Sequence, residues 1–425
     1  MLKNHPKSLG VLFLTEIWER VGFYTLMAVL VLYMDKTLGW SDSRKGTIYG
    51  LFLALCYFVP LLGGWLGDRV FGRRSTVQAG TLLMAAGFVG LAVSSAANTA
   101  TFYGGLFLIG VGTGIFKVNM AVMVGNLYAG KPELKDAGFN IFYMSVNIGA
   151  AVAPLIATFV GVTWNNYNIN FWVCAGGLLI ASLTFALGRA RLAPADLRSE
   201  GKKGAAAAPA AAISPSETRQ RIATLVTLFI IVILFWVAFY QDFFGLTLFA
   251  ERSTRIYKFL RPETYQFFEP SFIVILTPVL LALFARLRTK GKEPSTPTKI
   301  FLGMLIMGLA MLVMVFASLA GGDKDANNMS PAWLIGTYFI VTIAEILISP
   351  MGQSYVSKVA PPKIAGLMMG GWMAAIAFGS YGSGWLGKYY SDMAHHQFFL
   401  LLTGLLVLSA VLVLLFMKRL KRFAS

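Results

Sequence analysis

The chain has 425 residues, of which 57% are hydrophobic and 13% charged, against roughly a quarter charged in ordinary soluble domains. That balance excludes a water-soluble globular fold, and the recurrence of long apolar stretches along the whole chain excludes a protein held by a single anchor. The net charge of +17 would point to nucleic acid in a soluble protein, but in a membrane protein it has first to be set against the collection of Lys and Arg in cytoplasmic loops.

A helix of about 20 apolar residues crosses a hydrocarbon core of roughly 30 Å. Twelve such spans are expected, at residues 9–34, 47–68, 75–97, 101–124, 137–162, 169–188, 222–247, 268–285, 299–320, 333–356, 365–388 and 396–417. They are solidly apolar and far longer than the roughly 10 residues of a barrel strand, so the fold class is an all-α polytopic membrane protein. The first stretch contains Glu16, Glu19 and Arg20 and has no small-residue cleavage site, so it reads as a mature span and not a signal peptide. With twelve spans the N-terminus, the even-to-odd loops and the C-terminus carry 25 Lys and Arg, and the opposite loops 9. That asymmetry places both termini in the cytoplasm and accounts for the basic character without a nucleic-acid partner. Between spans six and seven, residues 191–218 combine Pro, Gly, an Ala tract and basic residues. They read as a cytoplasmic linker between an N-terminal six-helix bundle, 1–190, and a C-terminal one, 219–425. Two six-span halves resemble the major facilitator plan, whose substrate site lies near the midplane. Cys56 and Cys174 both fall within apolar stretches and imply no disulfide.

An ionisable group within a span costs about 2.5–3.5 kcal/mol on insertion scales, so each is a functional candidate by default. In span one, "TEIWERVGFY" keeps Glu16, Glu19, Arg20, Phe23 and Tyr24 within an arc of about 140°, and Glu16 stands four residues before Arg20, the favourable acid-first spacing. In span four, Gly110, Gly112 and Gly114 precede Lys117 and Asn119. No strand precedes these glycines, so they permit close helix approach and do not form a phosphate loop. Lys117 needs a carboxylate, and Glu16 and Glu19 are the expected partners. In span ten Glu345 has no basic residue within several turns. Asp242 near the outer end of span seven reads equally as a gate or as a solvated end, and Glu269, just before Pro270, as a helix-terminal acid. The deep groups are then Glu16, Glu19 and Glu345 against Arg20 and Lys117, an excess of carboxylate able to take up a proton. Cations in the first half and an acid in the second suit a zwitterion, its carboxylate toward Arg20 and Lys117 and its ammonium toward Glu345.

These residues resemble the signatures of the proton-dependent oligopeptide transporters. "HPKSLGVLFLTEIWERVGFY" is similar to the family's span-one motif E-x-x-E-R-F-x-Y-Y, with the charged triad intact and one Phe and one Tyr replaced. "GGWLGDRVFGRR", "GTGIFKVN", "FNIFYMSVNIGA" and "EILISPMGQSYVSKVAPPKIAGLMMGGW" are similar to its loop, span-four, span-five and span-ten-to-eleven signatures, in the correct order across both halves. The resemblance implies a proton-coupled symporter importing di- and tripeptides by alternating access. It has Glu16, Glu19, Arg20 and Lys117 coupling protons, and Arg20, Lys117 and Asn147 receiving the peptide carboxylate. Glu345 takes the amino group, and Tyr24, Tyr57 and Trp372 line the cavity, or else, as isolated aromatics, pack the core. It assigns Asp68, Arg69, Arg73 and Arg74 to a conformational gate, with Asp242 as a further gating candidate. Tyr240 stands where many members carry the acid before the span-seven Gln, and Glu269 where Asn is usual. The linker is too short for the two extra helices common in bacterial members. The alternative is a same-family transporter for an amino acid, nitrate or drug-like anion.

No cofactor beyond the coupling proton is expected, and the lipid bilayer, protons and peptides are the expected partners of a monomer in the cell inner membrane. An intramembrane enzyme is disfavoured, because His5, His395 and His396 all lie at span ends and neither H-E-x-x-H nor G-x-S-x-G occurs.

Overall fold

The computed structural model describes residues 5–131, 134–196 and 214–423, so the middle of the expected linker, 197–213, lies outside the described residues. The helices are α1 (Ser8–Lys36), α2 (Asp42–Trp65), α3 (Arg73–Ala92), α4 (Thr99–Leu127), α5 (Lys135–Trp164), α6 (Tyr167–Gly188) and α7 (Pro215–Phe239). They continue as α8 (Gly245–Arg252), α9 (Phe268–Thr289), α10 (Thr296–Ala320), α11 (Pro331–Val359), α12 (Ala365–Gly387), α13 (His395–Leu415) and α14 (Met417–Arg422). Among the described residues the only β pairing is in isolated bridges, as expected where lipid cannot satisfy an open sheet edge.

Eleven of the twelve expected spans are long and apolar enough to cross a membrane. The remaining one, α12, has the length, 23 residues, but its Gly and Ser dilute the hydropathy. The helices overrun the apolar stretches because capping residues lie outside them: Ser214 and Ser330 accept backbone N–H groups of Glu217 and Ala332, and Pro215 and Pro331 follow them. Span seven is not one helix. It breaks at a tight turn, Tyr240–Phe243, before α8, and side chains satisfy the freed backbone. The Gln241 side chain accepts from Gly245 N at 3.2 Å and Thr247 Oγ1 donates to Asp242 O at 3.1 Å.

The chain forms two compact units, one of Met1–Trp40 and Leu51–Ala206 and the other of Ser41–Gly50 and Ala207–Ser425. In unit 1, α1 packs on α5 and α6, and α3 on α4 and α6. The α3–α4 contact is backbone-close: a Cβ on Gly87 would stand 2.6 Å from Gly105 O, and one on Gly80 2.9 Å from Gly112 O. In unit 2, α10 packs on α11 and α13, and α7 on α12. The first turns of α2 belong to unit 2, where Arg252 and Lys45 pair with Asp42 at 3.0 and 2.5 Å.

Candidate functional site: two buried charge clusters

The first cluster grows from the polar face of α1. Glu16, Glu19 and Arg20 are all buried, and Arg20 Nε lies 3.1 Å from Glu16 and 2.5 Å from Glu19. Their position is fixed by α5, whose Gly149 brings the two backbones together: a Cβ there would stand 2.5 Å from Arg20 Cβ and 2.9 Å from Ile17 O. Asn147, two residues away, is buried and donates Nδ2 to Tyr143 O at 2.9 Å. Phe23 lies beneath the guanidinium, 5.6 Å from its ring centroid, and meets Tyr24 edge to face.

Lys117, mid-way along α4, interacts electrostatically with Glu16, Glu19 and Arg20, but no ion pair closes on it among the described residues. Its ammonium sits 5.4 Å from the Tyr57 ring centroid and remains accessible. Sequence reasoning pairs Lys117 with Glu16 or Glu19. In the structure Arg20 takes both carboxylates, because it stands on the same helix one residue and one turn away from them. The arrangement therefore holds two acids and two cations, with one cation free of a direct partner and facing open space.

After α2 the chain widens into a π turn over Leu66–Val70, which carries Asp68 and Arg69. Arg73 pairs with Asp68, and its Nη1 reaches Asn119 of α4 at 3.5 Å. Arg74 turns instead to Asp196, at 2.8 Å. Asp196 also accepts Arg73 N at 2.8 Å and Arg74 N at 3.2 Å, so it caps the amino end of α3. Nothing in the sequence singles out Asp196, which follows α6 by a turn and lies more than a hundred residues from its partners.

The second cluster is in unit 2. Asp242 is 1% exposed, which removes the solvated-end reading: the break in span seven folds its side chain inward. Glu269 lies in the first turn of α9, as expected of a helix-terminal acid, but it is buried, and its carboxyl is in hydrogen-bonding reach of both Asp242 and Glu345. Gln266 Nε2 donates to Asp242 O at 2.9 Å and to Asp242 Oδ1 at 3.3 Å, and lies 3.1 Å from Tyr338 Oη. Sequence reasoning missed Gln266 and Tyr338. Their signal was helical: Gln266 stands three residues before Glu269, and Tyr338 seven before Glu345 on α11. Trp372, expected at the cavity or in the core, is fully buried in the core of unit 2 against Gly352 and Trp236.

The chain is similar to known membrane transporters. A model of the Major Facilitator Superfamily matches residues 12–370. The chain is 31% identical to an uncharacterized transporter, YclF, of Bacillus subtilis (strain 168), across 87% of this chain and 85% of that protein. It is 30% identical to dipeptide and tripeptide permease A of Citrobacter koseri, across 92% of this chain and 84% of that one. A crystal structure of a mutant of the peptide transporter POT in complex with alafosfalin superposes with a TM-score of 0.89 at 28% identity, covering 100% of this chain and 97% of the other.

Proposed function

The chain belongs to the Major Facilitator Superfamily and, within it, to the proton-dependent oligopeptide transporters, and we infer that it is a symporter that carries di- and tripeptides inward with protons by alternating access. It is a multi-pass transporter and not an enzyme. The observation that carries the coupling is the charge balance of unit 1, where Glu16 and Glu19 stand against Arg20 and Lys117. With both acids ionised the cluster is neutral. A peptide carboxylate arriving at Lys117 and Arg20 leaves it one charge negative, and a proton on Glu16 or Glu19 restores neutrality, so in a low-dielectric setting each arrival favours the other. Lys117 suits the first contact because it is accessible and unpaired, with Tyr57 beside it and Tyr24 near Arg20, and Asn147 is the neutral donor that the family resemblance adds. The peptide ammonium goes to Glu345, whose Oε2 no protein donor reaches.

Asp68, Arg69, Arg73 and Arg74 form a conformational gate, in which the Asp68–Arg73 and Asp196–Arg74 pairs can break and re-form. The 25-to-9 distribution of Lys and Arg supports an inner-membrane location with both termini in the cytoplasm, and the transporter is proposed to act as a monomer.

The test is uptake of labelled Ala-Ala into proteoliposomes with and without an inward proton gradient. The native protein should accumulate the peptide uphill. Glu16→Gln or Glu19→Gln should lose uphill accumulation while keeping some peptide-for-peptide exchange, and Glu345→Gln should bind peptide about tenfold more weakly or worse, the loss of one charge-assisted contact. If folded native protein takes up no peptide under either condition, the reading fails and another small anion is the substrate.

A further inference from the structure

The second cluster, in unit 2, holds three acids where the amino-group role requires one. Asp242, Glu269 and Glu345 come from three separate elements, the break after α7, the first turn of α9 and the middle of α11. Glu269 stands between the other two, within hydrogen-bonding reach of each. Carboxyl groups in such contact require a proton or a cation between them, since an ionised carboxylate only accepts. Within unit 2, among the described residues, no Lys or Arg answers Asp242 or Glu345; their neighbours are each other, Glu269, Gln266 and Tyr338.

A second observation points to what is wanted there. Gln266 is 4% exposed, and its amide rests on Asp242 through Nε2, yet no protein donor reaches its Oε1. Apart from a proton shared with Glu269, Asp242 Oδ2 and Glu345 Oε2 are likewise without a donor. A single proton on Glu269 can serve only one neighbour at a time, so the cluster has more buried or half-buried acceptors than donors, and an ammonium brings three donors together with a charge. The outer carboxylates are separated by two hydrogen-bond lengths and the width of the middle carboxyl, about 5–8 Å, which the four-carbon stem of a lysine can span.

We propose that Asp242 and Glu269 extend the amino-group site into a site for two cations, so that the transporter prefers peptides whose first residue carries a second amino group. This rests on the placement of the peptide ammonium at Glu345 given above. The α-ammonium sits at Glu345 and the side-chain ammonium between Glu269 and Asp242, with Gln266 Oε1 as a neutral acceptor. A lysine in the second position cannot reach that pair from the same pose, so the order of residues decides.

The experiment is competition against labelled Ala-Ala uptake by Lys-Ala, norleucyl-Ala and Ala-Lys in the native protein and in Glu269→Gln. Norleucine keeps the length and loses the amine. Lys-Ala should compete at about tenfold lower concentration than norleucyl-Ala or Ala-Lys, the worth of one desolvated charge pair, and Glu269→Gln should abolish that difference. Equal potency of Lys-Ala and norleucyl-Ala in a native protein that does transport Ala-Ala overturns the proposal and leaves the peptide reading standing. Thermal stabilisation of purified protein by 1,5-diaminopentane, compared with pentylamine, is measured alongside. Should no peptide be carried, stabilisation by the diamine alone, lost in Asp242→Asn, upholds the two-cation site while the peptide reading falls; equal effects of the two amines overturn it.

Discussion

Gly149→Ala tests the part of the structure on which the coupling cluster depends. The new Cβ would stand 2.5 Å from Arg20 Cβ and 2.9 Å from Ile17 O, where carbon contacts settle at about 3.5–4.0 Å. Neither atom is the loose end of a side chain, so α5 and α1 must part by about 1 Å and Arg20 must shift against Glu16 and Glu19. Overpacking of this kind costs about 1–3 kcal/mol, partly hidden by the roughly 1 kcal/mol that Ala gains over Gly in a helix. Gly104→Ala is the matched control, since it lies on α4 with nothing within 4 Å of its Cβ, and it shows the propensity gain alone. The difference between the two variants is then the overpacking itself. At about 2–4 °C per kcal/mol for a unit of this size, Gly149→Ala should melt about 2–12 °C below Gly104→Ala when the detergent-purified proteins are followed by intrinsic fluorescence. Gradient-driven uptake should fall by more than the loss of folded protein explains, because the ion pairs are displaced. Equal melting points, or full uphill uptake with Gly149→Ala, would refute the claim that this contact positions Arg20.

Two further outcomes follow from contacts away from the clusters. Asp196→Asn keeps a capping oxygen for Arg73 N and Arg74 N but loses the ion pair with Arg74, so it should lower stability by about 1 kcal/mol, whereas Asp196→Ala loses both and should lower it by about 1–2 kcal/mol more; chemical denaturation of the two variants in detergent measures the gap. Glu293, in the loop before α10, accepts from Arg288 at 2.6 Å and from Lys299 at 2.6 Å, and these bonds pull its pKa down from 4.5 to about 2. Its folded pKa is depressed, so its contribution is fully present above the ordinary value of 4.5 and is lost as pH falls through 4.5 toward about 2. Solvent screening holds it to about 0–1 kcal/mol; the melting points of native protein and Glu293→Gln should differ at pH 6 and converge as the pH is lowered toward 3.

The sequence by itself determined the fold class, because twelve apolar stretches of spanning length leave little choice where lipid cannot satisfy backbone polar groups. It also picked out the charged face of span one, since Glu16, Glu19 and Arg20 share that face by helical period alone, and the structure keeps them together. Lys117 and Glu345 were legible for a related reason: a charge in a span stands out against apolar neighbours. What lay beyond reach was every choice made between distant elements. Lys117 was expected to pair with Glu16 or Glu19, and only the packing of α4 against α1 decided that its ammonium stays apart while Arg20, one residue and one turn away on their own helix, holds both acids. Asp242 reads as a span end until the chain breaks at Tyr240–Phe243 and buries it. Glu269 is the helix-terminal acid the sequence indicates, but only the packing of α9 and α11 brings it beside Asp242 and Glu345. Periodicity records which residues share a face of one helix, whereas the face a second helix presents depends on close packing of side chains that no single segment encodes.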